Sequence, residues 1–172
     1  MSVANKLSLE DAYMPRATLP NFDLSGANLT GAFMPQAILS KANLTGAILF
    51  DANLVKSRLN SAILSNADLS YADLSNADLS NADLSGADLS GANLTECNLS
   101  DANLSGADLK GAILTDAVAE GANFRGANLS GANLSNACLT DVRGLNSVRW
   151  EDTICPDGTS STANSGTCVE GP

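Results

Sequence analysis

The stretch ADLSNADLSNADLSGADLSG, residues 72–91, repeats every five residues and restricts the fold more than any other feature. The unit is A-(D/N)-L-(S/T)-x. With the central Leu as position i, the frame runs from Leu9 to Leu139 without an insertion and holds 27 centres, 23 of them Leu. Met14, Met34, Ala119 and Phe124 are the exceptions. From Ala12 to Ala137, position i−2 is Ala except at Phe22, Ser57 and Cys97. A helix turns 100° per residue, so apolar positions spaced two and three apart would drift around it. A flat strand alternates its faces, and an odd period breaks that alternation at every unit. A chain that turns a corner every five residues resolves the conflict. Positions i and i−2 then point inward, and i−1, i+1 and i+2 outward.

A second period fixes the number of sides. AYMPRA at 12–17 returns as AFMPQA at 32–37, twenty residues on. Four five-residue sides therefore close one coil, and residue n lies against n+20. Glycine repeats the message at i+2: Gly26, Gly46, Gly86, Gly106 and Gly126 share one side, and Gly31, Gly91, Gly111 and Gly131 the next. Since Gly supplies the positive φ of a type II turn, the pattern predicts type II turns at these two corners and other turns elsewhere.

The unbroken frame resembles the pentapeptide-repeat family over about residues 7–142. The resemblance implies an all-β solenoid, a right-handed quadrilateral β-helix of about seven coils with short N- and C-terminal caps. The expected division is an N-terminal cap segment at 1–6, the β-helix at 7–142, and a C-terminal cap with a stapled tail at 143–172. Phe22 overfills an Ala slot and is read with Leu7 and Met14 as an N-terminal plug. The repeat pattern is read as ending after Val142, with one helical turn in RGLNSVRW carrying Leu145, Val148 and Trp150 over the open end. Covered ends favour a monomer.

The tail TICPDGTSSTANSGTCVEG is poor in apolar residues and reads as having no core of its own. Cys155 and Cys168 bracket it, and a disulfide between them would contribute about 2–4 kcal/mol; the alternative is a tail with two reduced thiols. Cys97 should be buried and Cys138 outward, both unpaired. The tail resembles the C-terminal segments of cyanobacterial and plant thylakoid-lumen members, which implies an oxidising compartment. The expected location is thus the thylakoid lumen or periplasm as a mature form, with the cytoplasm as the alternative, because MSVANKLSLEDAYMP lacks the apolar core of a secretory signal.

The chain has 19 acidic and 9 basic residues and no histidine, for a net charge of −10. That charge disfavours direct contact with nucleic acid or anionic membranes. Without histidine, the usual general base and the commonest metal ligand are missing. No stretch suits a membrane span. No catalytic residue, cofactor or metal site is expected, and the protein is read as a non-enzyme. Asp68, Asp88 and Asp108 should stack in a column, too flat an arrangement for the six to eight oxygens of calcium. Ile48 and Phe50 face outward on the same side, with Tyr71 at its corner one coil on. These six residues are the candidate surface for an unidentified protein partner. The functional expectation is a scaffold presenting a rigid acidic surface. The alternative, implied by the family resemblance, is a DNA mimic that binds a type II topoisomerase.

Overall fold

The computed structural model describes residues 7–162, 167 and 168; the expected cap at 1–6 lies outside the described residues. From Ser8 to Asn123 every i−1 residue forms a parallel bridge to the residue twenty positions later, as Ser8 does with Asn28 and Asp68 with Asp88. Each side contributes a single bridged residue, so the walls are columns of parallel bridges instead of strands several residues long. The hydrogen bonds repeat with equal regularity. The Leu amide donates to the i−1 carbonyl of the next rung (Leu49 N to Asp68 O, 2.6 Å), and the corner amide to its i+1 carbonyl (Asp51 N to Ser70 O, 3.0 Å).

The side-chain sorting is complete between Leu24 and Leu134. Every Leu, Met, Ala or Phe at i and i−2 in that span is buried, with Ala119 and Phe124 at 1 % and 0 % exposure. Leu fills the tube and Ala lets the corners close. Ser57 occupies an Ala slot, and its hydroxyl is the one buried side-chain polar atom without a hydrogen bond among the described residues. An unsatisfied buried hydroxyl costs about 1–3 kcal/mol. Ser57→Ala should therefore stabilise the protein by about 1 kcal/mol in chemical denaturation.

The corners differ from expectation. The amide after each corner donates back to the Leu carbonyl, as from Ala12 to Leu9 (3.1 Å). Every i+2 residue from Asp11 to Asp141 has positive φ, including Lys56, Glu96 and Tyr71 (57°, 56° and 59°). All corners are thus type II, not two in four. Closing the coil imposes the turn whichever residue stands there, and glycine only relieves its cost. Holding a non-glycine residue in this region costs about 1–2 kcal/mol, partly offset by the greater chain entropy glycine loses on folding. Ser61→Gly should accordingly raise stability by about 0.5–1 kcal/mol. Gly46→Ala should lower it by a similar amount although nothing lies within 4 Å of the new Cβ, and thermal melts of the pair would separate strain from crowding.

Both ends also correct the sequence reading. Leu7 and Phe22 are 47 % and 49 % exposed, so they do not plug the first rung; Leu9, Met14 and Leu19 there are only half-buried. Phe22 is too large for its Ala slot and is turned outward. At the other end, bridging continues past Val142 through Arg143, Arg149 and Ile154. A 3₁₀ turn, Leu145–Ser147, lengthens one corner by a residue, so the offset becomes twenty-one. VRWED and TICPD are therefore two further units, with Trp150 and Cys155 in the Leu slots and buried to 5 % and 2 % exposure. Gly144 permits the longer corner, because a Cβ there would lie 2.6 Å from the Arg125 backbone. Leu145 and Val148 are half-buried against the core beside Trp150. The tail is consequently seated: Thr153 and Ser161 are fully buried, Thr153 Oγ1 donates to the Leu129 carbonyl at 2.7 Å, and Ser161 Oγ donates to the Trp150 carbonyl.

Candidate functional surface

The outer walls owe their order to the Asp or Asn at i−1. Wherever one stands there from Asp23 to Asn133, its side-chain Oδ1 accepts the amide of i+1, two residues on, as Asp68 does from Ser70 (3.0 Å) and Asp88 from Ser90 (2.9 Å). The i+1 hydroxyl often joins the same oxygen, as Thr95 does on Asn93 (2.7 Å). Type II turns leave that amide without a backbone partner, and an Asx-type contact satisfies it. The repeat prolines Pro15, Pro20 and Pro35 follow Tyr13, Thr18 and Phe33 at the same spacing, and proline has no amide to satisfy. Between rungs, Asn Nδ2 donates to the Oδ1 below it: Asn93 to Asp73, Asn103 to Asp83, Asn128 to Asp108. The Asp/Asn alternation is thus a hydrogen-bond ladder, where the sequence alone reads as a solvated polar face.

Asp68, Asp88 and Asp108 lie in one column of bridges that begins at Ser8 and includes Ile48. Asp88 is exposed and the other two half-buried. On the same wall Phe50 and Tyr71 meet edge to face, with ring centroids 5.8 Å apart. Ile48, Phe50 and Tyr71 are 41 %, 41 % and 63 % exposed. The structure therefore brings all six candidate residues to one wall. Ser70, only 7 % exposed, stands one rung on from Phe50 and hydrogen-bonds Asp68. A second aromatic pair, Tyr13 on Phe33, stacks at 5.1 Å with ring planes 4° apart on the adjoining wall. No group of three or more His, Cys, Asp or Glu is placed to hold a metal ion among the described residues.

Hydrogen bonding shapes two exposed carboxylates. The Ser25 hydroxyl and then its amide hold Asp23 below the usual carboxylate range, and Thr159 does the same for Asp157. Cys155 and Cys168 form a disulfide. Cys97 is buried and Cys138 exposed, its Sγ 3.2 Å from Thr140 Oγ1. Burial, with Asp78 nearby, pushes the Cys97 thiol up. A thiol reagent should label Cys138 in the native protein and Cys97 only after unfolding, because the reactive thiolate is scarce and inaccessible at Cys97. Mass spectrometry of the non-reduced protein should show one linked pair.

The sequence profile of the pentapeptide repeats, in eight copies, matches residues 8–46, 35–66, 62–101 and 102–142. The chain is a pentapeptide-repeat protein. The known structures of this family are right-handed quadrilateral β-helices. The chain is similar to HetL, a pentapeptide-repeat protein involved in heterocyst differentiation regulation in the cyanobacterium Nostoc sp. strain PCC 7120: 26 % identity over 90 % of this chain and 92 % of that one, TM-score 0.29. It is 32 % identical to a pentapeptide-repeat protein of the Arabidopsis thaliana thylakoid lumen over 73 % of this chain and 70 % of that one, TM-score 0.28. A third similar structure is QnrB1, a plasmid-mediated fluoroquinolone resistance protein: 19 % identity, 97 % and 95 % coverage, TM-score 0.48. No curated protein matches the chain. No helix among the described residues is long and apolar enough to cross a membrane.

Proposed function

We propose that this pentapeptide-repeat protein is a non-enzymatic scaffold whose Asp68 wall presents ordered carboxylates and an apolar island to a protein partner. Residues 67–106 carry seven carboxylates and no cation, and this band is the observation that carries the reading. Ile48, Phe50 and Tyr71 stand at its lower edge and supply the apolar anchor; Asp68, Asp88 and Asp108 supply the charge. The partner would then offer a basic segment with an aromatic or aliphatic residue, since burial of the anchor supplies affinity while charge supplies steering and register. Pentapeptide-repeat proteins are in general structural or interaction proteins without catalysis.

The scaffold is read as about seven coils, continued past Val142 by the VRWED and TICPD units, with a cap segment at 1–6 and the stapled tail at the other end. The Cys155–Cys168 disulfide supports an oxidising location, the thylakoid lumen or periplasm. Capture of partners from fractionated native cells tests the reading. A protein retained by the wild type and lost with both Phe50→Ser and Asp88→Lys supports it; retention by both variants overturns it. The second reading, a DNA mimic directed at a type II topoisomerase, is favoured by the same acidic band. Inhibition of supercoiling by the purified protein, abolished by Asp88→Lys, would select that reading over the first.

A further inference from the structure

We infer that two copies of this chain pair side by side and antiparallel through the Arg58 wall, which stands opposite the Asp68 wall. The column of this wall runs Thr18, Ile38, Arg58, Asp78, Asn98, Val118, Cys138, each bridged to the next. Its lower half is cationic: Arg16 and Lys56 sit on one corner, Arg58 at the centre and Lys41 on the other corner. Its upper half is anionic, with Asp78 at the centre and Glu96, Asp116 and Asp101 on the same corners. Lys41, Arg58 and Asp101 are exposed, and none of Arg16, Lys41 and Arg58 makes an ion pair among the described residues; the Arg16 guanidinium donates to Gln36.

A wall that is positive below and negative above is complementary to itself when turned end over end. Consider a twofold axis crossing the wall midway between the Arg58 and Asp78 rungs. Arg58 then faces Asp78 of the second copy, Lys41 faces Asp101, and Arg16 faces Asp116, each contact occurring twice. Over all six rungs from Thr18 to Val118 no two like charges oppose one another: Lys56 meets Asn76, Glu96 meets Gln36, and Glu120 meets Pro20. Moving the axis up to the Asp78 rung sets Asp78 against itself, and parallel pairing sets Arg58 against Arg58. Moving the axis a full rung up, between Asp78 and Asn98, pairs Lys41 with Asp141 and Lys56 with Asp116 but leaves Arg58 against Val118, so the first register makes the most opposite-charge contacts.

The occupant is a second copy because the complement is spelled out on the same columns at the same rung spacing of about 4.8 Å. An anionic nucleic acid would meet the cationic half but be repelled by the carboxylates above it. Exposed ion pairs each add little, and one narrow wall buries an area at the low end for stable complexes. The dimer is therefore weak and salt-sensitive. A monomer is the expectation from covered ends; pairing through a wall uses neither end and so does not depend on whether they are covered. It also leaves both Asp68 walls facing outward.

Sedimentation velocity across a concentration series tests the pairing. Dimers should form in about 20 mM salt and dissociate in about 0.5 M, where the screening length shrinks severalfold. Lys41→Glu and Asp101→Lys should each weaken association about tenfold or more, since each reverses two symmetric contacts. These sites lie three rungs, about 14 Å, apart within one chain, so they do not compensate each other in cis. Mixing the two variants should restore the dimer, because the introduced glutamate of one copy then meets the introduced lysine of the other. The second contact of that mixed pair is the native one, Asp101 with Lys41. Circular dichroism confirms that each variant is folded. A monomer under all conditions, a dimer indifferent to both variants, or a mixture no tighter than its components would overturn the inference.

Discussion

Phe124→Ala should destabilise the protein by about 3–5 kcal/mol, among the largest losses available to a single substitution here. Phe124 is fully buried in a Leu slot, and the preceding centre on the same rung is Ala119, a small residue in another Leu slot. One is oversized where its neighbour is undersized. Ala119→Leu alone should overpack the rung and cost about 1–3 kcal/mol, and Phe124→Leu alone should leave a void. Together they regenerate the Leu–Leu rung found in most of the tube, so the double variant should be more stable than the sum of the single losses allows. A double-mutant cycle in chemical denaturation measures this coupling, expected at about 1–3 kcal/mol. Additive losses would show that the two side chains do not share a space.

Leu79→Ala, in the middle of the tube, should cost about 2–5 kcal/mol through the cavity it leaves. Leu79 is fully buried, and its neighbours above and below in the column are Leu99 and Leu59, also at 0 % exposure. The stacked rungs are tied by hydrogen bonds on both sides, Leu79 N to Asn98 O at 2.8 Å and Leu59 N to Asp78 O at 2.7 Å. The walls cannot move in to fill the gap without breaking that spacing, which favours the upper part of the range. Ser80→Ala, one residue on but outward, should cost under about 0.5 kcal/mol. Comparable denaturation midpoints for the two variants would contradict the assignment of inner and outer positions.

These two contrasts rest on what the repeat displays openly. The inward pair i and i−2 and the twenty-residue offset follow from period and steric demand, which the Leu, Ala and Gly positions record directly. The corners are harder to read, because glycine marks where a positive φ is cheap, whereas Lys56 and Glu96 adopt it under the constraint of coil closure. The Asx contacts do leave a trace in the sequence: Asp or Asn two residues before an amide-bearing Ser or Thr, and proline only where that acceptor is missing. VRWED and TICPD escape the pattern because Trp150 and Cys155 replace Leu and one inserted residue shifts the frame. The six candidate surface residues come together on one wall because the frame alone places them there. What they bind is not encoded in that frame, since an outward side chain is constrained by its partner and not by the tube.

The Asx contacts have a consequence for recognition. Each i−1 aspartate engages Oδ1 with its own backbone, so its side chain is already held before any partner arrives. Ordering a flexible side chain on association usually costs about 0.5–1.5 kcal/mol. The i−1 aspartates have largely given up that freedom during folding, and their columns meet a partner as a fixed lattice of charge with little rotational entropy left to lose.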